Sequence, residues 1–141
     1  MMAFKKGLGE IIKEVRDAKS VNQKVKILQE NNSKELRGIF LLTYDNNVTW
    51  ALPEGAPPYQ PLDKSMDNQG MLYSEMRRMY VFLANGPQMP QARREQMYVQ
   101  LLEQLDPDDA KLIIEAKDRK IKGVSKKTVQ QAFPDLLPNQ E

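Results

Sequence analysis

The sequence predicts a single all-α domain of about seven helices, and three observations lead to this prediction. First, the chain has 141 residues, of which 40% are hydrophobic and 28% charged, as in an ordinary globular domain with a core. Second, apolar residues recur at helical spacing through most of the chain. Third, the apolar–polar alternation typical of strands is confined to Val48, Trp50 and Leu52. Because domain linkers and internal repeats are absent from the sequence, residues 1–141 are predicted to form one domain.

Three helices are predicted in the first part of the chain. Residues 1–20 contain a basic helix whose apolar face is formed by Phe4, Leu8, Ile11, Ile12 and Val15. A shorter second helix carries Val21, Val25 and Leu28 on one face. Ser33 is a suitable N-cap for a third helix that runs to Tyr44. Gly38 and Leu41 make this third helix apolar on more than one side, which predicts a central position.

Residues 45–67 are predicted to form a long connection without helix. Asp45, Asn46 and Asn47 are typical of a turn, and the short alternating stretch after them indicates extended chain. Four prolines then forbid regular helix, namely Pro53, Pro57, Pro58 and Pro61. Trp50 is expected to pack into the core. A connection of this length in a small domain is expected either to pack or to function.

The second half of the chain predicts four further helices. The first begins near Gly70 and carries an apolar, methionine-rich stripe of Met71, Leu72, Met76, Met79, Tyr80 and Leu83. Pro90 can open the next helix, and Asp106 followed by proline is an N-cap signal for the one after it. That helix is predicted to end at Gly123. A last short helix is predicted from Ser125 to Ala132 and is closed by a proline.

Composition excludes many kinds of catalytic site. The sequence has no cysteine and no histidine, so disulfides, zinc sites built on these residues and Ser-His or Cys-His relays are ruled out. We expect no cofactor, no small-molecule substrate and no enzyme activity. Asp106, Asp108 and Asp109 could in principle gather a metal, but acids at a helix start are expected for capping alone, so no metal site is predicted. Without a membrane or export signal, no membrane partner and a cytoplasmic location are expected.

Charge is strongly patterned although the net charge is only +2. Residues 1–40 carry +4 and residues 41–91 carry −2. Residues 111–127 carry seven basic side chains against two acidic ones, a local charge of +5. Within this stretch Gly123 precedes Ser125, which can cap the last helix, and Lys126 and Lys127 follow. Backbone amides and lysines at a helix start favour a phosphate site, and a solvated helix face is the alternative interpretation.

The stretch LLEQLDPDDAKLIIEAKDRKIKGVSKKTVQQAFPDLLP, residues 101–138, resembles the end of the N-terminal DNA-binding domain of ATP-dependent DNA ligases, most closely those of tailed bacteriophages. Residues 34–55, KELRGIFLLTYDNNVTWALPEG, resemble an apolar helix and connection of the same domain. The likeness covers about residues 22–138. The basic helix in residues 1–20, which carries Lys5, Lys6, Lys13, Arg16 and Lys19, is therefore additional and is either a further DNA contact or a docking helix. The Lys-x-Asp-Gly motif of ligase catalysis is absent, and the sequence stops after the exit that precedes the family's catalytic domain.

The resemblance implies a non-catalytic, sequence-tolerant protein that binds the phosphate backbone of duplex DNA from the minor-groove side. It places the contacts at Gly123, Val124, Ser125, Lys126 and Lys127. Lys120 and Lys122 are added to this candidate site because they flank it with positive charge. A phage-encoded protein in the cytoplasm of an infected bacterium, active in DNA replication or repair, is the corresponding expectation.

A second hypothesis is a protein-interaction module that kept this fold and binds a phage or host protein. Its surface would then be the acidic middle of the chain, the methionine-rich helix and the proline-rich loop at residues 53–61.

Overall fold

The first three helices form where the sequence predicts them. The computed structural model describes residues 6–63 and 70–137. Within them, the first helices are α1 (Leu8–Asp17), α2 (Val21–Glu30) and α3 (Lys34–Tyr44). The Ser33 hydroxyl accepts a hydrogen bond from the Leu36 amide at 3.0 Å, which confirms Ser33 as the N-cap of α3. Phe4, the first member of the predicted apolar face of α1, lies outside the described residues.

Four α-helices and one 3-10 helix complete the described part of the chain. The α-helices are α4 (Met71–Glu75), α5 (Gln91–Gln104), α6 (Pro107–Lys117) and α7 (Lys126–Ala132). The prediction of one α-helix from Gly70 to Leu83 is wrong for its second half, because Met76–Phe82 forms a 3-10 helix. This winding is longer per residue, about 2.0 Å against 1.5 Å. At its end the Phe82 carbonyl accepts from the Ala51 amide at 2.8 Å, which ties this segment to the long connection.

The long connection is tied to the helices at several points between Trp50 and Gln60. Trp50 forms an antiparallel bridge with Leu83, which confirms the extended stretch. The Trp50 indole is half-buried against the core, as predicted, and donates to the Leu42 carbonyl at 2.9 Å. Farther along, Lys117 of α6 donates to the carbonyls of Pro53 and Gly55, both at 2.8 Å. Residues 64–67 of the predicted connection lie outside the described part.

One hydrophobic core joins all these helices, and the described residues contain no β-sheet, which confirms the predicted all-α domain. α1 packs between α2 and α6, while α3 packs on α6 and α2 on α7. The side chains with no exposed surface include Leu8, Val15, Leu28, Leu36, Ile39, Phe40 and Leu102. The approach of α1 to α6 requires Gly9, since a Cβ there would lie 2.6 Å from the Asp108 carbonyl carbon.

Candidate nucleic-acid interface

The predicted site lies on the turn between α6 and α7, residues 118–125. The prediction that α6 continues to Gly123 is wrong, because α6 ends at Lys117. Arg119 follows with a φ of 68°, and the Lys120 amide donates to the Glu115 carbonyl at 3.1 Å. This is a Schellman ending with arginine in the left-handed position that glycine usually occupies. The chain therefore leaves the helix early and forms a compact turn.

Arg119 is held in its left-handed conformation by the long connection. Its guanidinium donates to the carbonyls of Val48 at 2.6 Å and Asp45 at 2.7 Å. These two charge-assisted bonds offset the steric cost of a left-handed non-glycine residue, which is about 1–2 kcal/mol. Sequence reasoning missed this helix end because the usual glycine signal is four residues farther on, at Gly123.

Tyr44, the last residue of α3, fixes both ends of the short bridge within the turn. Its hydroxyl donates to the Val124 carbonyl and accepts from the Ile121 amide, the latter at 3.2 Å. Ile121 and Val124 also pair with each other, with the Val124 amide 3.1 Å from the Ile121 carbonyl. Burial raises the pKa of Tyr44, so the hydroxyl keeps the proton that it donates. Tyr44 therefore ties both ends of this bridge to α3.

Two basic side chains from distant parts of the sequence support the same turn. Arg16 of α1 donates to the Lys122 carbonyl at 3.0 Å and pairs with Glu115 at 3.1 Å. Lys24 of α2 donates to the Gly123 carbonyl at 2.7 Å. Gly123 has a φ of 81°, and a Cβ there would lie 2.8 Å from the Arg16 side chain. Sequence reasoning placed Arg16 on the basic first helix but connected neither Arg16 nor Lys24 with this turn, since each lies about a hundred positions away from it.

The four predicted lysines all border this turn. Lys120, Lys122 and Lys127 are exposed and Lys126 is half-buried, and none of them forms a salt bridge within the described residues. A groove of about 480 Å³ lies beside the turn and is lined by Val21, Lys24, Tyr44 and Lys126 as well as by the turn itself. The apolar side chain of Val21 is 47% exposed.

The other predicted site residues have structural roles in the turn. The Ser125 hydroxyl accepts from the Thr128 amide at 3.2 Å, which confirms it as the N-cap of α7. The side chain of Val124 is buried, so it cannot reach a ligand from its position in the core. Because α7 has only seven residues, its dipole adds little, and the lysine side chains must supply most of the attraction for an anion.

The local charge of +5 in residues 111–127 is only partly available to a ligand. Lys117 is buried, and its ammonium donates to Asp118 at 2.8 Å as well as to the two carbonyls of the connection. The ring of Tyr98 lies 6.0 Å from the same ammonium. Lys117 and Arg119 therefore hold the fold together, and the exposed lysines of the turn retain the ligand-binding potential.

Of the acidic residues at the start of α6, Asp106 caps the helix, as predicted, whereas Asp109 bonds to α1 instead. Asp106 accepts from the Asp108 amide at 3.0 Å, and Asp109 accepts from the Gly9 amide of α1 at 2.6 Å. Across residues 6–63 and 70–137, no three carboxylates lie close enough together to hold a metal ion. Asp109 thus joins the N-terminal turns of two helices, one of which supports the candidate site through Arg16.

Comparison with known proteins places most of the chain in one family. The model of the family of unknown function DUF6433 matches residues 11–123. No curated protein matches the chain. The match includes Lys120, Lys122 and Gly123 and ends before the remaining predicted site residues. Because the function of this family is unknown, the resemblance to ligase domains stays a prediction. None of the helices in the described ranges is long and apolar enough to cross a bilayer.

Proposed function

The chain belongs to DUF6433, a family of unknown function, and we propose that it is a non-catalytic protein that binds duplex DNA with little sequence preference. The supporting observation is the set of four lysines at one turn, none of which forms a salt bridge with a described carboxylate. The polyanionic backbone of DNA is the ligand that such a surface attracts most strongly. The resemblance to phage ligase domains points to the same ligand and to a phage origin.

The geometry favours contacts to the backbone over contacts to the bases. Lysine ammonium groups act as point charges on phosphates and lack the planar fork with which arginine reads guanine. Tyr44, Arg16 and Lys24 hold the turn in place, so little backbone entropy is lost on binding and the entropic cost is mainly that of ordering the lysine side chains. The exposed side chain of Val21 adds an apolar contact in the same groove, which suits the face of a deoxyribose.

Salt dependence provides the first test of this proposal. If each of the four lysines neutralises one phosphate, the slope of log affinity against log salt is about −3.6. Affinity then falls about 150-fold between roughly 50 and 200 mM salt. Fluorescence anisotropy of labelled duplexes measures this slope. Intact and nicked duplexes of two unrelated sequences test the preference for structure and sequence.

A pair of charge-reversal variants locates the site. Lys126→Glu with Lys127→Glu is expected to abolish duplex binding at moderate salt while helix content and Tm stay nearly unchanged. Arg93→Glu with Lys111→Glu changes the net charge equally at two exposed positions away from the turn and is expected to retain binding. Survival of binding in the first variant would exclude the turn as the site. Equal loss in both variants would show that the attraction is unspecific.

The protein-interaction module is the alternative function. Absence of duplex binding even at the lower salt, together with wild-type folding, would favour it. The proline-rich loop is a weaker candidate for its surface than the sequence suggests, because Lys117 ties the carbonyls of Pro53 and Gly55 to α6.

A further inference from the structure

A second surface lies in a groove between α3 and the segment formed by α4 and the 3-10 helix. It is separate from the turn that carries Lys120, Lys122, Lys126 and Lys127, called the lysine turn below. Its volume is about 700 Å³. The inner face of α3 is fully buried at Leu36, Ile39 and Phe40. The second apolar strip of the same helix, Gly38 and Leu41, opens into the groove. Gly38 and Leu41 are also the residues from which the sequence predicts that α3 is apolar on more than one side.

Adaptable side chains complete the apolar floor of the groove. Met76 lies opposite Gly38, and a Cβ on that glycine would be 3.1 Å from the terminal methyl of the methionine. Leu136 forms the end of the floor. All of these residues are only partly buried. Methionine is flexible and polarizable, so it can repack around an incoming apolar side chain.

The rim of the groove is predominantly basic. Lys34, Arg37 and Arg77 border it, and Glu35 is the single acid among the described residues that line it. No salt bridge links any of the three cations to a carboxylate in the described parts of the chain. Arg37 is fixed in position, because its Nε donates to Asn32 at 2.8 Å and its guanidinium lies 5.4 Å from the centre of the Phe133 ring.

We propose that this groove binds an amphipathic helix with an acidic polar face, presented by a protein partner. An apolar groove between two helical walls accepts the apolar face of a third helix, and the unneutralised cations of the rim select acidic residues beside that face. The wall formed by α3 has 11 residues and is about 16 Å long, which matches about three turns of a partner helix. This surface is separate from the lysine turn, so the proposal does not rest on DNA binding.

A designed peptide tests the groove directly. The probe is a fluorescein-labelled helix of about four turns with leucines at i, i+3, i+4 and i+7 and glutamates at the flanking positions. Binding to the full chain is followed by anisotropy. A peptide with the same residues in shuffled order and one with lysine in place of glutamate are the ligand controls, and both are expected to bind at least about tenfold more weakly.

Matched variants connect binding to this surface. Gly38→Glu places an acid on the apolar floor and is expected to abolish peptide binding, whereas Gly38→Ala is expected to preserve it because only the flexible end of Met76 must move. Arg77→Glu should weaken binding about tenfold, and Arg93→Glu, an equal change on α5, less than about twofold. Lys126→Glu with Lys127→Glu should leave peptide binding intact, which separates this surface from the DNA site.

Three outcomes would overturn the proposal. The first is equal binding of the ordered and shuffled peptides. The second is unchanged affinity in Gly38→Glu. The third is affinity that rises at least about tenfold when the chain ends at Leu137 or when residues 64–69 are replaced by a Gly-Ser linker, since the occupant would then be the chain's own segment.

Discussion

The carboxyl group of Asp109 lies in the interface between α1 and α6, where its ionisation should control the pH dependence of stability. Its side chain is buried, and its Oδ2 atom has no hydrogen-bond partner within the described residues. Burial raises the pKa of Asp109 to about 7, and the Gly9 amide opposes this shift only in part. In the unfolded chain the same group has a pKa of about 3.9. The folded state therefore holds a proton that the unfolded state releases between about pH 4 and 7.

The size of the effect follows from this difference in pKa. Each unit corresponds to about 1.4 kcal/mol, so a difference of about three units is worth about 4 kcal/mol. At pH 4 the unfolded carboxyl is already about half ionised, and at pH 7 the folded one is still about half protonated, so somewhat less than this full difference falls between pH 4 and 7. Stability should therefore fall by about 3 kcal/mol as the pH rises from 4 to 7, because the charged carboxylate is costly in the folded state.

Asp109→Asn removes this titration and keeps an oxygen that can accept from the Gly9 amide. Urea unfolding followed by circular dichroism, from about pH 4.5 to 7.5, gives the free energy of unfolding of both proteins. The stability of the wild type relative to the variant should decline over this range by most of the predicted amount. Parallel profiles for Asp109→Asn would refute the reasoning.

Three further substitutions test how the lysine turn and the long connection are held. Tyr44→Phe removes the hydrogen bonds to Ile121 and Val124 without changing the charge. It should lower the free energy of unfolding, measured with urea, by about 1–2 kcal/mol. Duplex binding, measured by anisotropy, should weaken several-fold. Gly123→Ala places a side chain at a left-handed position against Arg16, which should lower the free energy of unfolding by about 2 kcal/mol. An unchanged Tm would contradict the described turn. Lys117→Met leaves the carbonyls of Pro53 and Gly55 without their buried donor. It should lower the free energy of unfolding by about 2–4 kcal/mol and make residues 53–61 accessible to limited proteolysis. Resistance to proteolysis equal to that of the wild type would disprove the anchoring role of Lys117.

Local sequence signals predicted most of the helices and their starts. Ser33, Asp106 and Ser125 were predicted as N-caps, and each accepts the expected amide bond from its own helix. Such caps depend on residues two or three positions apart, so they can be read without a structure. The end of α6 could not be predicted in this way, because the left-handed residue is Arg119 and its stabilising partners lie in the long connection.

The sequence by itself determined the all-α class, the helix starts and the basic segment that carries the candidate lysines, since these depend on composition and short-range spacing. Only the tertiary structure decided which cations remain available. It placed Lys117 in the interior and brought Arg16 and Lys24 to the turn from 106 and 99 positions away. Whether a lysine binds a ligand or a carbonyl of its own chain depends on which acceptors folding places within about 3 Å of it, and short-range sequence patterns do not specify that distance.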